Sequence, residues 1–326
     1  MLNAKPAGLA WWLKLAGVRG AFVGHVSVDH VVNPRGERTQ PGGAALYAAL
    51  ASKVLGCNPL LVSAIGYDYP FKDVVFRNFP PHGVKLVSLP STRFEIIYDS
   101  SWRAKYTKIE LGAGSRITVR DLLKPMVLKG GFVHVAPMNP LKALRMVEAL
   151  KEESDLMVSI NTCAHYLEGN PRNRAAVLRA AEAADIAILS DEELKLLTGV
   201  EAIVAAARRV KAKTLVVTLG EVGALIKQGD RVELTPALTA LVKSPVDVTG
   251  AGDVWSGGFL AGYAASKDIH KATAAASILS AVKCSRWNFE ALLGLSFKDL
   301  DEVIELATSM REPTQLTRWL KEAGGA

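Results

Sequence analysis

The sequence predicts an α/β fold in which a mostly parallel central sheet is covered by helices on both faces. Short apolar runs alternate with amphipathic stretches, as expected for strands joined by helical crossovers. The 326 residues, 49% of them hydrophobic, suffice for one large domain or two smaller ones. The predicted strands of this sheet are 21–28, 60–65, 132–136, 156–160, 186–189 and 214–218. The amphipathic stretches between them include 141–151, 174–184 and 201–210.

The net charge of +7 suits an enzyme whose ligands are polyphosphates, and it would equally suit nucleic-acid binding. The basic residues are scattered among acids, however, and the basic clusters at 172–174 and 208–211 are short and have no interleaved aromatic residues. We therefore expect a solvated surface and no nucleic-acid partner.

Residues 1–17 contain an apolar run at 9–13 that Lys14 interrupts. The run is too short to span a membrane, and only Lys5 precedes it, which is weak support for a signal peptide. We expect no membrane partner and an amphipathic segment packed on the domain or on a neighbouring subunit, so a homodimer is compatible with the sequence. A further predicted helix, 313–321, looks peripheral.

The three cysteines are widely separated, odd in number and without metal-ligand spacing. Cys57, Cys163 and Cys284 are therefore expected to be buried thiols in the reducing cytoplasm.

The clearest chemical signal is the turn at residues 250–252. Gly250 and Gly252 bracket Ala251, and a helical sequence follows at once. Such a turn leaves backbone N–H groups at the helix start without intrahelical partners, and together with the helix dipole they form a site for an anion such as phosphate.

Asp253 stands beside this predicted anion site. A carboxylate repels an anion but suits the removal of a proton from an attacking hydroxyl, which indicates phosphoryl transfer. An ordinary tight turn followed by a capping aspartate is the alternative. The longer string favours phosphoryl transfer, because Asp247 and Thr249 precede the turn and the small pair 257–258 permits close helix packing.

Asp-Val-Thr-Gly-Ala-Gly-Asp at 247–253 resembles the C-terminal signature of the ribokinase-like, PfkB-type carbohydrate kinases. Pro-Gly-Gly-Ala-Ala-Leu-Tyr at 41–47 resembles their Gly-Gly substrate motif. The resemblance implies a single ribokinase-like kinase domain over residues 1–326, with a lid formed by about 31–40 and 91–117. It also implies that a cytoplasmic enzyme transfers the γ-phosphoryl group of ATP, with Mg²⁺ as cofactor, to a hydroxyl of a small polyol, sugar or nucleoside. Asp253 would be the base, and Gly250, Ala251 and Gly252 would form the anion site.

Four substrate contacts are predicted between residues 29 and 47. Asp29 follows an apolar run, where a strand end would present a carboxylate to sugar hydroxyls; its position is equally consistent with a turn, and the resemblance implies substrate binding. Gly42 and Gly43 open an alanine-rich helix, as a substrate motif or as a simple turn. Tyr47 stands where many family members carry asparagine, so an aromatic side chain here could pack on the flat face of a ring.

Residues 94–98 and 106–111 predict a hairpin that would form, with 31–39, a small sheet outside the main one. The resemblance implies that this sheet is a lid that excludes water from the reaction. Arg93 is predicted to reach the substrate from it, and a solvated position is the alternative.

Two further side chains are predicted at strand ends. Asn161 is a candidate substrate contact. Ser190 and Glu193 form a capping-box pattern, and they fall where the family has an Asn-x-x-Glu motif whose glutamate organises Mg²⁺ through water. Both interpretations of Glu193 can hold, because a cap fixes the direction of its side chain.

The nucleotide is expected beside Thr218, Gly220, Gly223 and Thr249, as the resemblance implies. The alternative for the first three is a turn before a hairpin. No role is assigned to Lys283.

The best match for the acceptor among family members is myo-inositol, because the motifs at 42–47 and 91–95 are most similar to those of inositol kinases. Nucleoside kinases come second, and kinases of ribose or ketose sugars third. A non-catalytic nucleotide or metabolite sensor is a different possibility, but a sensor has no need of a base such as Asp253. An NAD-dependent oxidoreductase is disfavoured because no Gly-x-Gly-x-x-Gly follows the first strand.

Overall fold

Two separate sheets organise the chain in a computed structural model. The structure describes residues 18–124, 127, 131–236, 244–295, 297 and 300–309. The segment 1–17 and the predicted helix 313–321 lie outside the described residues. In chain order the strands are β1 (Arg19–Val23), β2 (Ser27–Asn33), β3 (Gly36–Gly42), β4 (Asn58–Gly66), β5 (Val84–Val87), β6 (Thr92–Tyr98), β7 (Ala104–Glu110), β8 (Phe132–Val135), β9 (Met157–Asn161), β10 (Ile186–Ser190), β11 (Thr214–Thr218), β12 (Gly223–Gln228) and β13 (Arg231–Pro236).

The helices lie between these strands and in the C-terminal part of the chain. In chain order they are α1 (Ala44–Val54), α2 (Lys72–Asn78), α3 (Val119–Leu122), α4 (Pro140–Glu153), α5 (Ala164–Leu167), α6 (Pro171–Ala183), α7 (Asp191–Thr198), α8 (Ile203–Arg209), α9 (Ala251–Ser266), α10 (Ile269–Cys284), α11 (Glu290–Leu293) and α12 (Leu300–Ser309). None of the helices in this described part of the chain is long and apolar enough to cross a bilayer.

The large sheet has the strand order β13-β12-β11-β10-β9-β8-β1-β4-β5. All neighbours are parallel except β12 and β13, which are added antiparallel at one edge. Successive side chains of a strand alternate between the faces: in β1, Phe22 belongs to one apolar cluster and its neighbours Ala21 and Val23 to a second. Helices therefore cover both faces, and the predicted α/β class is confirmed.

The small sheet has the order β3-β2-β6-β7, and β6 and β7 form the predicted hairpin. One strand prediction was wrong, because the run 21–28 contains two strands that belong to different sheets. β1 ends at Val23, Gly24 packs against Ala45 and Ala136 where a side chain would not fit, and β2 then pairs with β3 and β6. Asp29 consequently lies within the small sheet.

Helix α9 is the helix that joins the core to the predicted anion site. It packs on α1 and α10, and Gly257 and Gly258 are among the points of close approach. A methyl group on Gly257 would overlap the carbonyl oxygen of Ala48, and one on Gly258 would lie 3.1 Å from the Cα of Ala276. The close packing predicted for this glycine pair is therefore confirmed.

Substituting Gly257 with alanine should destabilise the protein by about 1–3 kcal/mol, the usual cost of overpacking a core, because helix α1 must move to admit the methyl group. Urea denaturation would measure the loss. Gly252→Ala is the matched control in the same helix: no atom lies within 4 Å of its added Cβ, so its free energy of unfolding should be unchanged or slightly higher. Equal stability of the two variants would contradict this account of the packing.

Candidate active site

A crevice of about 1090 Å³ lies where strands β9, β10 and β11 end, and the small sheet forms its opposite wall. Asn161, Ser190 and Thr218 are the last residues of those three strands, and all of them line it. Ligands of doubly wound sheets bind beyond the carboxyl ends of the strands. That volume includes space that is open to solvent.

The turn at 250–252 forms one end of this crevice. Gly250 is the N-cap of α9 and has a φ of 74°, a left-handed conformation that other residues adopt only with strain. Its Cα faces the ring of Tyr47, so a side chain would also collide there. Gly252, by contrast, faces open space and is exposed. The amide of Ala251 donates a hydrogen bond of 3.0 Å to the carbonyl oxygen of Val248, so its predicted part in the anion site is corrected. The amides of Gly250 and Gly252 remain as the predicted anion donors at the helix start.

Asp253 lines the crevice in the first turn of α9. Its Oδ1 accepts a hydrogen bond of 3.3 Å from Nδ2 of Asn161. Burial raises the pKa of the Asp253 carboxyl to about 7, against the smaller opposing effect of Asn161. A carboxylate with a pKa near neutrality is well matched to accepting a proton from a hydroxyl.

Asp29 faces the crevice from the small sheet and is 2% exposed. Its Oδ1 accepts a hydrogen bond of 2.6 Å from the Ser27 hydroxyl. Burial raises the pKa of Asp29 to about 7; the Ser27 hydrogen bond opposes this effect, whereas the charges of Asp247 and Asp253 add to it. Gly42 packs directly against the Asp29 carboxylate, and any side chain there would displace it.

Glu193 lines the crevice from the first turn of α7. The predicted capping box is present: Glu193 Oε2 accepts a hydrogen bond of 2.8 Å from the Ser190 amide, and the Ser190 hydroxyl accepts one from the Glu193 amide. Burial raises the pKa of Glu193 to about 8, with a contribution from the charge of Asp253. The cap therefore directs an acid group towards Asp253.

The donor set fits a metal that arrives with a nucleotide. Mg²⁺ keeps several of its water ligands and is bound by one or two carboxylates together with substrate phosphates. Glu193 and Asp253 provide two such groups, and the described part of the chain has no cage of three or more His, Cys, Asp or Glu side chains.

Several other predicted site residues occupy positions that differ from the expectation. Arg93 does not line the crevice: its Nη2 lies 2.7 Å from Oδ2 of Asp68, whose other oxygen accepts hydrogen bonds from Ser91. This ion pair ties β6 to the loop after β4, so the expected substrate contact of Arg93 is corrected to a structural one.

Tyr47 forms part of the floor of the crevice, but it is 1% exposed. Its ring lies between Gly250 and Phe289, with a ring-centre distance of 4.7 Å to the latter. The expected packing of this ring on a substrate is corrected accordingly: Tyr47 supports the turn from behind.

Among the predicted nucleotide contacts, Thr218 and Thr249 line the crevice, and so does Gly43 among the substrate contacts. Gly220 and Gly223 are not part of the lining; both have positive φ values, Gly220 in the turn after β11 and Gly223 at the first residue of β12. Their geometry is that of the alternative, a turn before the hairpin of β12 and β13.

An aromatic cluster that the sequence analysis did not single out lines the crevice beside Asp29. The ring centres of Phe94 and Tyr106 are 5.9 Å apart, with His25 at 6.2 Å from Phe94 and His165 at 6.1 Å from Tyr106. Phe94 and Tyr106 come from the paired strands β6 and β7. Alternation within the predicted hairpin was the available signal, since it places every second side chain on one face.

Comparisons with known proteins define the class. A profile of the pfkB family carbohydrate kinases matches residues 111–294, more than half of the chain. The cytidine kinase of Thermococcus kodakarensis is 29% identical over 255 residues, which are 76% of this chain and 90% of that kinase.

Two crystal structures share the fold. The Methanocaldococcus jannaschii nucleoside kinase superposes with a TM-score of 0.72 and 21% identity, over 89% of this chain and 98% of that one. A double mutant of the Vibrio cholerae O395 fructokinase, bound to fructose, ADP and potassium ion, superposes with a TM-score of 0.72 and 21% identity, over 88% and 97%.

Fold and sequence together place the protein among the ribokinase-like sugar and nucleoside kinases. The chain belongs to the pfkB family of carbohydrate kinases, and it is a phosphotransferase that acts on a hydroxyl group.

Replacing Asp253 with asparagine should lower kcat by about 10²-fold or more, because the variant keeps the shape of the side chain but removes the proton acceptor. Steady-state kinetics would measure the loss, and calorimetry with ADP should show binding close to that of the wild type. Asp73→Asn, at an exposed surface ion pair on α2, is the control and should keep full activity. Near-normal turnover by the Asp253 variant would remove this residue from its proposed role.

The buried Asp29 should make the free protein less stable as the pH rises from about 4 to 7. The folded protein holds a proton on Asp29 up to a pKa of about 7, whereas the unfolded chain loses it near the usual value of 3.8, so this stabilising contribution is largest at low pH and is lost through that window. The melting temperature of the wild type should therefore fall relative to that of Asp29→Asn as the pH rises from about 4 to 7. If the wild type melts higher than the variant at pH 4, the two values converge; if it melts lower, they diverge.

Histidines 25 and 134, whose pKa values burial lowers to about 4 and about 3, have the opposite pH dependence. They are present in both proteins, so their effect cancels in the difference. If the difference in melting temperature between the two proteins stays constant across the pH range, that result would contradict the assignment of a raised pKa to Asp29.

Proposed function

We propose that the protein is a nucleoside kinase that uses ATP and Mg²⁺. The observation that carries this proposal is the aromatic cluster of His25, Phe94, Tyr106 and His165 beside Asp29. A nucleoside joins a flat aromatic base to a sugar with hydroxyl groups, and this wall of the crevice offers aromatic rings next to a carboxylate. Base–aromatic contacts are worth about 1–3 kcal/mol for each base.

The earlier preference for myo-inositol gains no support from the relatives, and the lining argues against it. Myo-inositol carries hydroxyl groups all round its ring, so a selective site would surround it with hydrogen-bonding partners. The wall formed by Phe94, Ile96, Tyr106 and Ile109 is instead apolar and aromatic. The similarity to a cytidine kinase in sequence and to a nucleoside kinase in fold supports a nucleoside as the acceptor substrate in preference to a polyol.

In the proposed reaction, the sugar hydroxyls are held by Asp29 and the reacting hydroxyl faces Asp253. Asp253 accepts the hydroxyl proton while the oxygen forms a bond to the γ-phosphorus of ATP. The bond from that phosphorus to the β–γ bridging oxygen breaks, and ADP leaves. The amides of Gly250 and Gly252 stabilise the negative charge on the transferred group, so positioning and charge stabilisation contribute most of the rate.

The other end of the crevice would take the nucleotide, with Thr218 and Thr249 beside its phosphates. Glu193 would hold the metal through water. Bound Mg²⁺ would neutralise charge on the phosphates, and a cation beside Glu193 and Asp253 would favour the ionised form of both acids.

An acceptor screen tests the proposal directly. Initial rates with ATP and Mg²⁺ would be compared for cytidine, adenosine, inosine, myo-inositol, ribose and fructose. We expect the highest kcat/KM with a nucleoside. Turnover of myo-inositol or of a free sugar with a higher kcat/KM than any nucleoside would overturn the nucleoside assignment while leaving the phosphotransferase class intact.

Phe94→Ala should lower kcat/KM for the preferred nucleoside by roughly 5- to 150-fold, because a base–aromatic contact of about 1–3 kcal/mol is lost. The rate with ribose, which has no base, should change much less. Tyr67→Ala is the control, since Tyr67 is 63% exposed and lies outside the crevice lining. An equal loss with nucleoside and with ribose would show that Phe94 supports the fold of the small sheet and does not recognise the base.

A further inference from the structure

Lys283 on α10 is a buried lysine that the reaction scheme does not use. Its side chain has 0% exposure, and its Nζ donates a hydrogen bond of 2.6 Å to the backbone oxygen of Asp247 and lies 3.1 Å from Oδ2 of the same residue. The same Nζ lies 5.7 Å from the centre of the Tyr47 ring, which packs against Gly250. Lys283 therefore contacts the layer directly behind the turn at 250–252.

Stability alone is a weak explanation for this ion pair. Removing two charges from water costs about as much as their attraction returns, and apolar residues of similar size are often equally good. Asp247 already has other donors: its Oδ1 accepts from the amide of Thr249 at 2.8 Å, and its Oδ2 accepts from the amide of Asn288 and from Gln40. The specific contribution of the ammonium is its contact with the Asp247 carbonyl, which orients the peptide that leads into the turn.

One face of α10 holds the turn on both sides of Gly250. Ser280 Oγ donates to the carbonyl oxygen of Ala251 at 3.0 Å, and the carbonyl oxygen of Cys284 accepts from the amide of Val246 at 2.8 Å. Residues three and four apart share a face of a helix, so Ser280, Lys283 and Cys284 act together. Among these three contacts, only that of Lys283 brings a charge.

We propose that Lys283 is a positioning residue that fixes the 247–251 turn in the conformation that binds the transferred phosphoryl group. It does not touch the substrate and acts through Asp247. This inference rests on the proposed anion-binding role of residues 250–252. Although burial alone would raise the pKa of Asp247, the ammonium and the hydrogen-bond donors hold it below its usual value. Burial lowers the pKa of Lys283, and the charge of Asp247 opposes that effect.

The test uses the double variant Lys283→Met with Asp247→Asn. Lys283→Met alone leaves a buried carboxylate without its cation, which endangers folding, whereas asparagine at 247 keeps an oxygen for the Thr249 amide. We expect the double variant to fold with a melting temperature close to that of the wild type. Its kcat should fall by about 10²-fold, the effect of a small misplacement of catalytic groups, while KM for the acceptor stays nearly constant.

A binding measurement gives a second result that does not depend on the acceptor. Calorimetry would compare a non-hydrolysable ATP analogue with ADP, which lacks the terminal phosphate. The affinity ratio of analogue to ADP should fall by about tenfold in the double variant, because the helix start no longer meets the terminal phosphate correctly. A purely structural role would leave this ratio and kcat unchanged once the variant has folded.

Lys227→Met is the matched control. Lys227 is also a buried lysine, with its Nζ 3.2 Å from the Val210 carbonyl oxygen, but it lies on β12 outside the crevice lining. It should keep the wild-type kcat, KM and affinity ratio. A folded double variant with the wild-type kcat and affinity ratio would overturn the role of Lys283. If the wild type phosphorylates no nucleoside, the proposed function fails, and the affinity ratio still decides the role of Lys283.

Discussion

The packing of helix α9 is the constraint on which the rest of the site depends. Its first turn carries the free amides and Asp253, while its body is buried between α1 and α10. The predicted anion site is therefore held by the core itself: Tyr47 of α1 closes the space behind Gly250, and Gly257 brings α9 into contact with α1 about two turns later. Because Gly43 is the N-cap of α1, the same contact sets the distance between the Gly-Gly motif and the turn.

The electrostatics of the crevice follow from that packing. Asp29, Asp253 and Glu193 enter it from three different elements, and burial raises the pKa of each of them. Three ionised carboxylates in a partly desolvated space repel one another, so the empty crevice favours protonated acids. In the proposed reaction, the metal ion that accompanies the nucleotide would place positive charge beside Glu193 and Asp253. Binding of that ion would therefore favour the ionised form of Asp253.

The sequence predicted the parallel sheet and the hairpin because both depend on local periodicity, and it identified the turn because glycines at a helix start have few other uses. It misplaced the boundary in 21–28, since a largely apolar run does not reveal a change of sheet. The ion pairs of Arg93 and Lys283 were missed for a related reason. Each is paired with an acid distant in the chain, Asp68 and Asp247, and no local pattern reports such a partner.

The crevice is divided between two sheets, and this explains why the shared fold does not determine which acceptor substrate is bound. In the proposed reaction, the transfer chemistry comes from the ends of the large sheet and from α9, whose packing tolerates little change. The proposed acceptor wall comes from β2, β6 and β7 of the small sheet, where Phe94 and Tyr106 are half-buried and belong to neither of the two large apolar clusters. A cytidine kinase and a fructokinase can therefore resemble the same chain, and the identity of the acceptor has to be argued from the wall that faces it.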